Sequence, residues 1–147
     1  MNKKLDNLLR KQSYQKIPLE IYKSGHIVFE LVLNNIAAKF LLDTGASGSI
    51  LTVESIEKFN LELEETDESG TGAGTKDIAM QNSVTNSLIF KEKIIEKIDL
   101  FVMDLQHVNN SFIELGHPEI DGILGSDILT KHDCVIDYKG MNLYITK

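Results

Sequence analysis

The chain is poor in the residues that cross-link, bend or anchor a protein. One cysteine, Cys134, in 147 residues excludes a scaffold held by internal disulfides; in DCVIDY it reads as core filler. Two prolines, Pro18 and Pro118, leave few positions barred from a sheet ladder. No stretch approaches the ~20 apolar residues of a membrane span. The N-terminal MNKKLDNLLRKQSYQK has basic residues but no apolar segment of signal-peptide length. Positive charge is scarce: 15 Lys and Arg against 22 Asp and Glu give a net charge of -7, which argues against a nucleic-acid partner. The four histidines, His26, His107, His117 and His132, lack a ligand spacing such as HExxH. The expectation is a cytoplasmic protein with no metal, no cofactor and no membrane partner.

What is present is ordinary for a globular domain: 42% hydrophobic and 25% charged residues. The length suggests one domain, able to bury roughly 70% of its unfolded surface. Residues 1–16 read as an N-terminal extension, helical because Leu5, Leu8 and Leu9 recur at helical spacing. Residues 17–147 read as the body, and most of it reads as strand. IPLEIY, HIVFELVL and IAAKFLL are rich in branched and aromatic side chains, with Asn34-Asn35 as a tight turn between the last two. A short helix follows, with Thr52 as its cap and Val53, Ile56 and Phe59 along one side.

LELEET and KDIAMQNSV flank SGTGAGT, in which Gly70, Gly72 and Gly74 mark a hairpin tip. No GK[ST] signature follows these glycines, which argues against a phosphate cradle. The acidic run at 62–68 reads as a solvated strand face. SLIF and KIDLFVMDL are further strands, and QHVNNSFIELGHPE reads as a loop with at most one helical turn. IDGILG is a buried strand. SDILTKH is a helix with Ser126 as N-cap and Asp127 in its first turn, where an acid suits the helix dipole. CVIDY, a turn at Lys139-Gly140, and NLYIT close the chain as a hairpin.

The stretch LLDTGASGSIL, 41–51, is the one that raises a question of chemistry. An apolar strand ends on an acid beside a glycine. Asp, Thr, Gly and Ser are common turn residues, so a plain turn explains the composition. The alternative is that Asp43 is held at a loop apex for acid–base work. Three features in order favour the second reading: Leu41 to Ala46 as apolar–apolar–Asp-Thr-Gly-Ala, the glycine-tipped hairpin, and Ile123-Leu124-Gly125 before a helix. Together they resemble the retropepsin-like aspartic proteases over roughly residues 17–147. DGILGSDILTKHDCVIDY is especially similar to the protease domain of the eukaryotic DNA-damage-inducible proteins and to prokaryotic single-domain relatives.

The resemblance implies a mainly β, single-domain acid-protease fold: a closed, barrel-like sheet with a flap hairpin and one or two short helices, working as a homodimer. Asp43 would be the catalytic acid, and Thr44, Gly45 and Ala46 would support the geometry of a dyad. Gly70, Thr71, Gly72, Ala73 and Gly74 would form the flap. Ile123, Leu124 and Gly125 would pack beneath the active-site loop. Two carboxylates in contact share one proton, so one can activate water while the other protonates the substrate. The chain has a single D-[TS]-G, so the second acid comes from a second copy. The implied activity is endopeptidase action on a peptide or protein substrate. A weakly catalytic peptide-binding or scaffold dimer and a self-processing protease are the alternatives. Retroviral members usually pair an acid two residues after the first glycine with an arginine after the second-motif glycine. Ser47 and Ser126 stand here, so that ion pair is absent.

Overall fold

The computed structural model describes residues 3–64 and 80–147. The chain begins with helix α1 (Lys3–Lys11). Strands β1 (Tyr14–Pro18), β2 (Glu20–Ile21), β3 (Ile27–Leu33) and β4 (Ile36–Leu42) follow. Next come β5 (Ile50–Thr52), helix α2 (Ser55–Lys58), β6 (Glu62–Leu63), β7 (Gln81–Phe90) and β8 (Lys93–Met103). Helix α3 (Gln106–Glu114), β9 (Gly122–Leu124), helix α4 (Ser126–Lys131), β10 (Val135–Asp137) and β11 (Asn142–Thr146) complete it.

The larger sheet runs β2-β3-β4-β9-β5-β8-β7-β6, and an added β3–β7 pairing joins its two halves. Six strands, β3-β4-β9-β5-β8-β7, thereby close into a barrel with no free edge within the ring. The β3–β4 turn at Asn34-Asn35 has φ of 49° and 69°, the left-handed conformation that a two-residue hairpin needs and that Asn tolerates. Asn34 also fastens the hairpin to β7, the strand that closes the ring: its backbone N–H donates to the Ser87 carbonyl and its Oδ1 accepts the Ser87 N–H, both at 2.9 Å. A separate sheet, β1-β11-β10, brings the chain ends together. On it, the Tyr144 hydroxyl donates to Asp6 Oδ1 of α1 at 3.1 Å.

Strand alternation divides the core in two. Phe29, Phe40, Leu51, Leu88, Leu100 and Leu124 point into the barrel. Val28, Leu41 and Ile123 point outward, where Tyr22, Leu105, Phe112 and Ile120 cover them.

This second core explains a difference from the sequence reading. The segment after β8 is not an irregular loop, because α3 occupies nine residues of it. Phe112, 1% exposed, packs edge-on against Tyr22 with ring centroids 5.1 Å apart. Buried Asn109 exchanges two hydrogen bonds with the Ile120 backbone, at 2.8 and 3.1 Å. Tertiary packing therefore overrides the weak helical signal of HVNNS. Two cap assignments also shift. Thr52 lies in β5 and Glu54 occupies the N-cap of α2, though the Thr52 hydroxyl meets that of Ser55 at 2.8 Å. Gly125 is the N-cap of α4, and Ser126 is its first helical residue. SLIF is not a strand of its own, since β7 runs unbroken from Gln81 to Phe90.

Candidate active site

The loop after β4 is held by the strand wedged between its two arms. β9 pairs in parallel with β4, Leu41 opposite Ile123 and Leu42 opposite Leu124. It pairs antiparallel with β5, Ile50 opposite Ile123. The 43–49 loop must therefore bend over the end of β9, which places the Asp43 loop directly against 124–127. The Asp43 N–H donates to the Leu124 carbonyl at 3.0 Å, and the Ala46 N–H donates to the Asp43 carbonyl at 3.2 Å. The Ala46 carbonyl accepts from both the N–H (2.7 Å) and the hydroxyl (3.2 Å) of Ser126.

Asp43 is half-buried, and Thr44 and Gly45 are exposed. Oδ1 of Asp43 accepts the Gly45 N–H at 2.9 Å, so one carboxylate oxygen is fixed by the loop's own backbone. The acid is aimed by its turn and is flanked by the exposed Thr44 and Gly45. One copy of the chain supplies one such acid.

Ile123 and Leu124 divide their contacts as the strand period requires. Leu124, fully buried, faces the barrel. Ile123 faces the second core, against which Ala46 and Ile50 also pack. Gly125 lies close under the loop: a Cβ there would stand 2.5 Å from the Ala46 carbonyl oxygen. Its φ of -104° suits any residue, so space alone calls for glycine. Gly122 is as tight, since its Cβ would meet the Ile50 carbonyl oxygen and the Phe40 ring, each at 2.8 Å.

The structure thus brings Asp43, Thr44, Gly45 and Ala46 together with Ile123, Leu124 and Gly125. Gly70, Thr71, Gly72, Ala73 and Gly74 lie outside the described residues. Three residues escaped the sequence reading as parts of this site. Gly122 lies beneath Ile50. Ser49, 1% exposed, donates its hydroxyl to Asp127 Oδ1 at 2.7 Å and its N–H to Asp127 Oδ2 at 3.0 Å, while its oxygen accepts the Gly125 N–H at 2.9 Å. Asp127 does more here than complement the helix dipole. Its carboxylate in fact spans the gap to the Asp43 loop, and a serine near an acid 78 residues away leaves no local pattern to read. Among the described residues no three His, Cys, Asp or Glu side chains gather as a metal-binding group, and no helix is long and apolar enough to cross a membrane.

The aspartyl protease family model matches residues 29–128, a span that includes the Asp43 loop, β9 and the start of α4. The chain belongs to the aspartyl protease family. Its fold is retropepsin-like. A retropepsin-like aspartic protease from Rickettsia conorii is 24% identical, with a TM-score of 0.57 over 90% of this chain and 91% of that one. The retroviral protease-like domain of Ddi1 from Leishmania major is 17% identical, with a TM-score of 0.55 over 88% and 87%. The EIAV protease in complex with an inhibitor is 20% identical, with a TM-score of 0.51 over 76% and 92%. These three likenesses are of fold. A search among curated proteins returns no significant match.

Proposed function

We propose that two copies of this chain associate so that their Asp43 side chains face each other, and that the pair hydrolyses peptide bonds. The observation that carries this reading is the Asp43 carboxylate, held by Gly45 N–H at 2.9 Å at the exposed turn over β9. One carboxylate cannot serve at once as the base for water and as the acid for the scissile group. Two in contact can, because like charges so close share one proton. Water attacks the peptide carbonyl carbon as the ionised Asp43 takes its proton. The protonated Asp43 hydrogen-bonds the carbonyl oxygen and stabilises the charge developing there. Collapse of the tetrahedral intermediate returns a proton to the leaving amine. In this reading Thr44 and Gly45, both exposed in a single copy, meet the partner's loop. The substrate is an extended peptide or protein segment.

The experiment is cleavage of a diverse peptide library by wild type and Asp43→Asn, with a transition-state-mimic inhibitor as control and sedimentation run on the same samples. Cleavage that the inhibitor blocks, that the amide abolishes and that tracks the dimer supports the reading. An active Asp43→Asn variant or a fully active monomer overturns it.

A further inference from the structure

Beneath the Asp43 loop lies a second set of polar contacts that no step of hydrolysis uses. Ser49 is 1% exposed, and its hydroxyl stands at the centre of the set. It accepts the N–H of buried Gly125 at 2.9 Å and donates to Asp127 Oδ1 at 2.7 Å. The other carboxylate oxygen of Asp127 accepts the Ser49 N–H at 3.0 Å. Both oxygens of Asp127 are thus committed to one residue of the Asp43 loop. The adjacent Ser126 holds the Ala46 carbonyl through its N–H and hydroxyl. Ser47 and Ser126 form no ion pair, being neutral, so the Asp127 carboxylate is the charged group fastening the end of this loop to α4. Hydrogen bonds to an ionised acceptor are roughly twice as strong as neutral ones. Losing the Ser49 oxygen would also leave the buried Gly125 N–H without its acceptor.

We propose that Asp127, acting through Ser49, is a positioning residue that sets the orientation of Asp43. The chain of contacts is continuous. Asp127 fixes Ser49, Ser49 fixes the Gly125 N–H, Ser126 next in the chain holds the Ala46 carbonyl, and the Ala46 N–H closes the turn on Asp43. This inference rests on the assignment of Asp43 as the reacting acid, but its structural part can be read without turnover. The Gly45 N–H bonds to Asp43 Oδ1 from an exposed residue, so its NMR signal and its exchange rate report where that carboxylate sits.

Ser49→Ala and Asp127→Asn test it in the full chain, with Ser49→Thr as the conservative control that keeps the hydroxyl. Asparagine keeps the shape of Asp127 but not its charge: one acceptor oxygen becomes an amide that can only donate toward the Ser49 hydroxyl, so both charge-assisted contacts are lost. In wild type and variants one would record thermal stability, kcat and KM on a cleaved peptide, and the Gly45 amide signal and exchange rate. For Ser49→Ala and Asp127→Asn, assayed well below their melting temperatures, the expected result is a drop in kcat of about tenfold or more with KM within about twofold. The Gly45 amide should shift and exchange faster. Ser49→Thr should restore both readouts. A residue that served stability alone would lower the melting temperature and leave the Gly45 signal and kcat in place, and that result overturns the proposal. If wild type cleaves no peptide, the protease reading fails by itself. The positioning proposal is then judged on Gly45: an unchanged signal in folded Ser49→Ala refutes it, and a displaced one that Ser49→Thr restores supports it.

Discussion

Gly125→Ala turns the packing beneath the site into a measurable quantity. The added Cβ would lie 2.5 Å from the Ala46 carbonyl oxygen and 3.2 Å from both the Ala46 carbonyl carbon and Asp127 Oδ1. Carbon and oxygen normally approach to ~3.3–3.6 Å, so loop and helix start must separate by about 1 Å. The backbone at 125 imposes no strain of its own, with φ at -104°. What resists the shift is the set of contacts that meet there, above all the two Ser126 bonds to the same Ala46 oxygen. Forcing a methyl into such a place costs about 1–3 kcal/mol. For a domain of this size that lowers Tm by roughly 3–10 °C. A displacement of about 1 Å at a reacting group costs about a hundredfold in turnover.

Gly116→Ala is the matching control. Gly116 has φ of +82° and nothing within 4 Å of its would-be Cβ. Alanine there is strained by about 1–2 kcal/mol but disturbs no neighbour. The two variants should therefore lose similar stability while only Gly125→Ala loses turnover, with both assayed well below their Tm by circular dichroism and peptide cleavage. A folded Gly125→Ala protein with kcat within twofold of wild type would refute the view that the close fit of position 125 under Ala46 holds the Asp43 loop in place.

Peptide cleavage should fall more steeply than in proportion to concentration when the protein is diluted through its dimer dissociation range, as sedimentation and initial rates on the same samples would show; a specific activity that is constant in monomeric samples contradicts the shared site. Burial and then Asp133 push the Cys134 thiol up to about 11, with Lys93 opposing. At pH 8 only ~0.1% of it is thiolate, so a thiol reagent should label the native protein roughly a hundredfold more slowly than the urea-unfolded chain; equal rates would mean the burial is wrong. Burial and the Asp6 hydrogen bond raise the Tyr144 pKa above its ordinary ~10. A raised acid favours the folded state while it is protonated, so this contribution is whole below pH ~10 and is lost as pH climbs through the folded value. Asp6→Asn should lower the Tyr144 ionisation midpoint in an ultraviolet titration, and an unchanged midpoint would show that Asp6 has no part in the shift.

What was legible in the sequence follows how far each interaction reaches along the chain. Asn34-Asn35 could be read as a turn because positive φ is a property of the residues themselves, and both adopt it. The β3–β4 strands could be read because HIVFELVL and IAAKFLL are rich in the branched and aromatic side chains that suit a pleated sheet. Asp43 at a strand end could be read because strand, acid and glycine are adjacent. α3 could not, because what makes it a helix is Phe112 against Tyr22, 90 positions earlier, and the clasp between Asn109 and Ile120. The same holds within the site. Gly122 and Gly125 carry no conformational signature, and their need for glycine arises only when Ile50 and Ala46 are folded over them. Ser49 and Asp127 each had an adequate local explanation, a small loop residue and a helix-dipole acid. Both explanations are compatible with the structure, and neither contains the three hydrogen bonds that join Ser49 to Asp127 and Gly125. Residues that do chemistry are marked by their type, whereas residues that hold them still are marked by distances that exist only after folding. A search for the second kind in related chains should therefore begin from the carbonyl of the residue after the Asp-Thr-Gly and ask what fills the space beneath it.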